Sequence, residues 1–165
     1  MRETRKAFLW ILAILRKYKI PFQVSGGLAA RIYGSQRELA DIDIDIPEKA
    51  FQKILRDVSK YLIFGPRRYK DRNWDLRLVI LRYRSQEIDL CGAEESKIFN
   101  KKMKKWVSNR VDFSKNVRKK MFGAIVPVIS KRELLSAKIK LARRVDLEDV
   151  KQIMSKKYRN SPNNS

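Results

Sequence analysis

Residues 41–46 read Asp-Ile-Asp-Ile-Asp-Ile, an alternation with the period of an extended strand. Successive side chains on a β-strand point to opposite faces, so the isoleucines share one face and the carboxylates the other. The isoleucine face calls for a core. The acidic face resists one, because like charges repel and burying them costs heavily unless a cation is present. Upstream lies Val24-Ser25-Gly26-Gly27. A paired glycine brings backbone N–H groups close to a phosphate, where any Cβ would obstruct the approach. Mg²⁺ takes hard oxygen ligands from one or two carboxylates plus substrate phosphates. The two motifs together point to phosphate and metal chemistry.

Composition narrows that chemistry further. The 165 residues suffice for one domain with a proper core, and a hydrophobic share of 44% argues for a globular chain. Histidine is absent, which removes Ser-His-Asp and Cys-His machinery and histidine-ligated zinc. The single cysteine, Cys91, leaves no intramolecular disulfide and fits a reducing, cytoplasmic setting. Lys and Arg number 39 against 18 acids, a formal charge of +21 that suggests a polyanionic partner. Arg2, Arg5 and Lys6 precede an apolar run from Ala7 to Leu15 that imitates a signal peptide. Arg16, Lys17 and Lys19 follow at once, so the run reads as a buried first helix, too short to span a membrane.

The expected elements run as follows. A helix over 3–19 ends before Pro21, and Phe22–Ser25 forms a short strand into the glycines. Leu28–Tyr33 makes a brief helix stopped by Gly34. After the Ile42–Ile46 strand, Pro47 is expected at the first position of a helix reaching Lys60. Tyr61–Phe64 is a strand closed by Gly65-Pro66, and Leu76–Arg82 pairs with Glu87–Leu90. Ile125–Ile129 is extended. Ser130 with Glu133 makes a capping box for a helix to Arg144, and Asp146, with Asp149 reaching back, is expected to cap the last helix. One domain over 1–157 is expected, with 94–122 as a basic insertion and 158–165 as a disordered tail. The fold class is α/β (α+β), a small mixed β-sheet flanked by helices.

Asp89, in Glu87-Ile88-Asp89-Leu90, sits among apolar residues like the first aspartates. Beside Asp41 and Asp43 it would complete a three-carboxylate site. Two carboxylates would hold Mg²⁺ (or Mn²⁺), and the third would accept the proton of an attacking hydroxyl or bind a second ion. Plain structural readings stand beside these. The glycines could form an ordinary turn, the acidic run an exposed edge strand, and Asp89 could pair with Arg82 or Arg84.

On Gly26-Gly27, the Gly34-to-Arg37 turn, Asp41-Ile42-Asp43 and the Asp89 triplet, the chain resembles the DNA polymerase β-like nucleotidyltransferases. It is most similar to minimal members of the lincosamide and aminoglycoside 2″ type and to AbiEii-like toxins. The stretches Val126-Pro127-Val128-Ile129, Leu135 to Lys138 and Arg143/Arg144 to Asp146 and Asp149 are similar to their closing helices. The resemblance covers 18–92 and 125–155. It implies a nucleotidyltransferase fold and transfer of a nucleoside monophosphate from an NTP, such as ATP, to an acceptor with release of pyrophosphate. Gly26 and Gly27 match the glycines that cradle the triphosphate. Many members carry serine at the second glycine, so backbone N–H groups, or Ser25 or Ser35, would have to serve. Asp41, Asp43 and Asp89 match the catalytic and metal-binding carboxylates, with Asp43 and Asp45 as the shifted register. Arg37 is expected near the triphosphate or Asp41. Lys138 matches a nucleotide-facing lysine, or else a solvated one.

The basic segment admits two readings. Lys101, Lys102, Lys104 and Lys105, with Arg110, Lys115, Arg118, Lys119 and Lys120, could follow a nucleic-acid backbone, and Trp106 could stack on a base. Alternatively the lysines are a solvated face and Trp106 an anchor. The positive charge makes RNA, including a tRNA end, the expected acceptor. The rival readings are a non-catalytic nucleic-acid-binding protein and a small-molecule nucleotidyltransferase.

Overall fold

In the computed structural model, residues 2–159 are described, and they form one mixed sheet with helices packed around it. The helices are α1 (Arg2–Lys17), α2 (Gly26–Tyr33), α3 (Ala50–Val58), α4 (Lys131–Leu141) and α5 (Arg144–Arg159). The strands are β1 (Gln23–Val24), β2 (Asp41–Ile46), β3 (Leu62–Lys70), β4 (Trp74–Tyr83), β5 (Gln86–Gly92), β6 (Lys97–Asn100), β7 (Lys105–Ser108), β8 (Val117–Met121) and β9 (Ala124–Val128). No helix among the described residues is long and apolar enough to cross a membrane. Of the expected disordered tail, residues 160–165 lie outside the described residues.

Sheet pairing follows the side-chain pattern. Strand β2 runs parallel to β5, with Asp41, Asp43 and Asp45 opposite Glu87, Asp89 and Cys91. On the other face Ile42, Ile44 and Ile46 meet Ile88 and Leu90 in a core closed by Phe8, Ile11 and Leu15 of α1 and Phe51, Ile54 and Val58 of α3. Each fully buried isoleucine contributes about 2–3 kcal/mol of transfer free energy, so the register of β2 is fixed. A one-residue slip would put carboxylates in the core. The signal-like run of α1 is the buried helix expected.

Strand β4 carries β3 along one edge and β5 along the other, since Leu78 pairs with both Arg67 and Cys91. Asp75 pairs with Lys70 and Lys97, so β6 shares the β5 edge and continues it end to end. The β6–β7 hairpin therefore extends the sheet beyond the ends of β5 and β2. From β7 the chain crosses to β8, which pairs with β9, and β9 runs parallel to β1. Strands β3, β7 and β8 are edges, and Arg67, Arg68 and Lys70 of β3 with Arg118, Lys119 and Lys120 of β8 put positive charge there, a device against edge pairing.

Three expectations are corrected. Pro47 does not open α3; its carbonyl accepts from the Ala50 N–H in a turn, and the helix begins at Ala50. Gly65-Pro66 does not close β3. It forms a bulge, with Gly65 at φ +79°, and the strand resumes to Lys70. The insertion, left without assigned elements in the sequence, is two strands of a hairpin, a crossover and an edge strand.

Candidate active site

Asp43 sits at the centre of the site because two neighbours converge on it. The Ser25 N–H donates to the Asp43 carbonyl at 3.0 Å, which ties the start of α2 to β2. The Gly27 N–H donates to Asp43 Oδ2 at 3.3 Å. Gly26 has φ +55°, and a Cβ there would lie 1.7 Å from Asp43 Oδ2, so no side chain fits. A Cβ on Gly27 would come within 2.9 Å of Arg37 Nη2 and 3.1 Å of the Leu39 side chain. The glycine pair thus lets the N-terminus of α2 approach a carboxylate closely, with its backbone dipole favouring negative charge.

Asp41, Asp43 and Asp89 each offer a carboxylate oxygen within 4.8 Å of the others. Among the described residues none of the three forms an ion pair. Arg82, one expected partner of Asp89, is taken by Glu87 at 3.2 Å. Asp89 Oδ1 is buried with no hydrogen-bond partner, as is Gln23 Oε1 nearby. Every carboxylate of the group is pushed up. Burial and then Asp41, Asp89 and Asp45 raise Asp43. Burial, then Asp41 and Glu87, bring Asp89 to about 7. Asp41 rises through burial and Glu87, against the pull of Arg37 and Arg143. Asp45 stands apart: its Oδ2 accepts from Gln23 Nε2 at 2.9 Å, and burial brings it to about 6. The geometry therefore groups Asp89 with Asp41 and Asp43 and leaves Asp45 peripheral.

Beside this group opens a cleft of about 620 Å³. Its floor is Ser25, Gly26, Asp43 and Asp45, one wall is α4, and the opposite wall is the β7–β8 crossover at Arg110, Val111 and Asp112. Backbone bonds from Asn109 N–H to Ser96 and from Val111 N–H to Ala93 hold that crossover in place.

The C-terminal acids have a different setting from the one expected. Asp146 and Asp149 are both fully buried, and Asp146 lies not at the cap but in the first turn of α5, where its Oδ2 accepts from the Arg143 N–H at 3.2 Å. Lys138 Nζ lies 2.7 Å from Asp149 Oδ2 and 3.3 Å from Asp146 Oδ1. Arg37 Nε contacts Asp149 Oδ1 at 3.2 Å, and Ser35 Oγ donates to the same oxygen at 2.6 Å. Burial would raise Asp149, but Lys138, Ser35 and Arg37 outweigh it and hold its carboxyl low. Lys138 is not the solvated lysine considered as its alternative. Its ammonium is engaged by two carboxylates behind the cleft wall.

Arg143 is the group that sequence reasoning left without a role. Asp146 grips its guanidinium at 2.6 and 3.1 Å and its backbone N–H at 3.2 Å, and it lines the cleft. Burial would lower its pKa, yet Asp146, Asp43 and Asp41 hold it up, which places its charge in the field of the acidic group. The signal was present as Arg143 three residues before Asp146, a spacing that brings two side chains together on a helix.

The basic segment is divided by the fold. Lys101, Lys102 and Lys104 occupy the β6–β7 turn and Lys105 opens β7, while Arg118, Lys119 and Lys120 lie on the outer strand β8. Trp106 packs edge-on against Phe99 at 5.6 Å with Lys70 Nζ 5.4 Å from its ring. It anchors the hairpin.

Comparison with known proteins agrees with this geometry. The model of the aminoglycoside-2″-adenylyltransferase family matches residues 7–153. No curated protein matches significantly. Among solved structures, a Thermotoga maritima protein assigned as a nucleotidyltransferase superposes with a TM-score of 0.71 at 20% identity, over 94% of this chain and 95% of that one. The lincosamide antibiotic adenylyltransferase LnuA, bound to lincomycin, gives 0.62 at 17% identity over 91% and 96%. ANT(2″)-Ia in complex with adenylyl-2″-tobramycin gives 0.58 at 13% over 93% and 88%. These likenesses establish the nucleotidyltransferase fold. With the family match spanning nearly the whole chain, they place it in the aminoglycoside-2″-adenylyltransferase family, and the protein is a nucleotidyltransferase.

Proposed function

We propose that this enzyme transfers the nucleoside monophosphate of an NTP, ATP first among them, to a hydroxyl of a small molecule, with Asp41, Asp43 and Asp89 as its catalytic carboxylates. The observation that carries the reading is the group itself: three clustered acids that form no ion pair among the described residues, one with an orphaned buried oxygen. Such a set fits a hard divalent cation, Mg²⁺ or Mn²⁺. Bound there, the ion would offset charge on the phosphoryl oxygens during transfer.

The remaining roles belong to side chains and backbone. The triphosphate lies at the N-terminus of α2, where Gly26 and Gly27 leave room for it, and the nucleoside enters the cleft. Asp89, brought to about 7, accepts the proton of the acceptor hydroxyl near neutral pH. The acceptor oxygen bonds to the α-phosphorus, the bond to the β-phosphate oxygen breaks, and pyrophosphate leaves with the electron pair. Arg143, fixed by Asp146, stabilises the charge on that leaving group. Lys138 and Arg37 act at one remove, by holding Asp146 and Asp149.

A small acceptor is favoured over RNA for two reasons. The family match is to antibiotic adenylyltransferases, and the fold splits the basic residues that a nucleic-acid track would need. Incubation with Mg²⁺, α-labelled NTPs and a panel of hydroxyl compounds tests the reading. Label should pass to a small molecule with pyrophosphate release, and Asp43→Ala should abolish it; transfer that survives Asp43→Ala would sink the assignment.

A further inference from the structure

We propose that the acceptor bears a carboxylate or phosphate that docks on Arg67, on the open sheet face beside Asp89; this builds on the transfer reading above and specifies its acceptor. The register sets Phe64 opposite Ile80 and Ile80 opposite Asp89, one row across β3, β4 and β5. Arg67 pairs with Leu78, the next position of that same face. In a regular strand, residues three apart point to opposite faces. The Gly65-Pro66 bulge sets Phe64 to Arg67 against only Ile80 to Leu78, so both side chains face the carboxylates. A side chain at Gly65 is excluded, because its Cβ would meet the Leu78 carbonyl at 2.0 Å.

The bulge creates a specific arrangement. The Arg67 guanidinium lies 4.3 Å from the centroid of the Phe64 ring, and Tyr69 meets that ring edge-on at 5.9 Å. Neighbouring Arg68, Arg77 and Arg82 each have a carboxylate partner, whereas Arg67 has none among the described residues. A guanidinium held over an aromatic ring spends none of its N–H donors on the ring, so they remain available to a carboxylate or phosphate. Phe64 and Ile80 are only half-buried and Arg67 is exposed, whereas Leu76 and Leu78 further along the same face are buried, so the face is open at its Phe64–Arg67 end. Strands about 4.8 Å apart set β3 about 10 Å from β5, the span of a sugar- or nucleoside-sized molecule. A hydroxyl at Asp89 and an anion at Arg67 would occupy its two ends. The net charge of +21 further disfavours a polycation.

The test is a titration followed by backbone amide resonances, with the nucleotide site filled by Mg²⁺ and α,β-methylene ATP. The ligands are glucose 6-phosphate, glucose and tobramycin, and the proteins are the wild type, Arg67→Glu and Lys120→Glu, the last a charge reversal on the far edge. Glucose 6-phosphate should move the resonances of Phe64, Arg67 and Ile80, with glucose and tobramycin at least tenfold weaker. Arg67→Glu should weaken the sugar phosphate at least tenfold and Lys120→Glu less than twofold. Equal losses in the two variants, equal binding of glucose, tighter binding of tobramycin, or no response at these residues overturns the inference. The underlying reading fails separately, if the Mg²⁺–nucleotide itself leaves Gly26 and Gly27 unmoved.

Discussion

Two groups of acids, Asp146 and Asp149 fully buried and Asp41, Asp43 and Asp89 half-buried, are built on opposite terms. Asp146 and Asp149 are met by Lys138, Arg37 and Arg143 at 2.6–3.3 Å, and Asp149 is held below the ordinary carboxylate range. Asp41, Asp43 and Asp89 are met by one another, and each is pushed above it. Burial alone therefore does not mark function in this chain. The compensated group ties α4 and α5 to the turn before β2, and that is framework. The uncompensated group forms no ion pair among the described residues, which leaves its negative charge available to a cation.

The sharpest way to break that contrast is to remove one charge from each group. Asp43→Asn should lower transfer by about a thousandfold or more, the loss of several kcal/mol of charge stabilisation, while thermal unfolding shows a fold at least as stable as wild type. Lys138→Met should act in reverse, leaving two buried carboxylates short of a partner and costing about 3–5 kcal/mol in denaturant unfolding. Arg143→Gln tests the link between the groups. Steady-state kinetics should show kcat falling about a hundredfold, the scale of losing one fixed charge-stabilising donor.

Asp149 and the clustered acids titrate in opposite senses. Asp43, Asp45 and Asp89 bind protons more tightly folded than unfolded, with Asp45 near 6 and Asp89 near 7. Their stabilising contribution is complete below the unfolded carboxylate value of about 4; that of Asp45 and Asp89 is lost as pH rises through about 6 and about 7, and that of Asp43 as pH rises through its own raised value. Asp149, held low, contributes above that value and loses its contribution as pH falls through its depressed one. Calorimetry of metal-free protein should thus show Tm falling by a few degrees between pH 5 and pH 7.5, with Asp43→Asn flattening the slope. Added Mg²⁺ should raise Tm more at pH 7.5 than at pH 5.

These contrasts were unequally legible in the sequence. The acidic alternation of β2, the glycines and Asp89 could be read because each is a local pattern with one dominant physical meaning. Asp146 and Asp149 looked like caps because Lys138, Ser35 and Arg37 reach them only after folding, Arg37 from 112 residues away. Strand β3 was cut short because Gly65-Pro66 reads as a terminator, and the bulge that carries the strand past it depends on β4. Strands β6, β7 and β8 were hidden by lysines at alternating and non-alternating positions alike, as suits edges and turns facing solvent.

Mn²⁺ binding, followed by loss of the free-ion paramagnetic resonance signal in the presence of ATP, tests the central contrast most directly. Wild type and Asp149→Asn should bind the ion beyond what ATP alone retains, and Asp43→Asn should not. Binding that survives Asp43→Asn but is lost in Asp149→Asn would contradict the account, because the metal would then belong to the group the chain already neutralises.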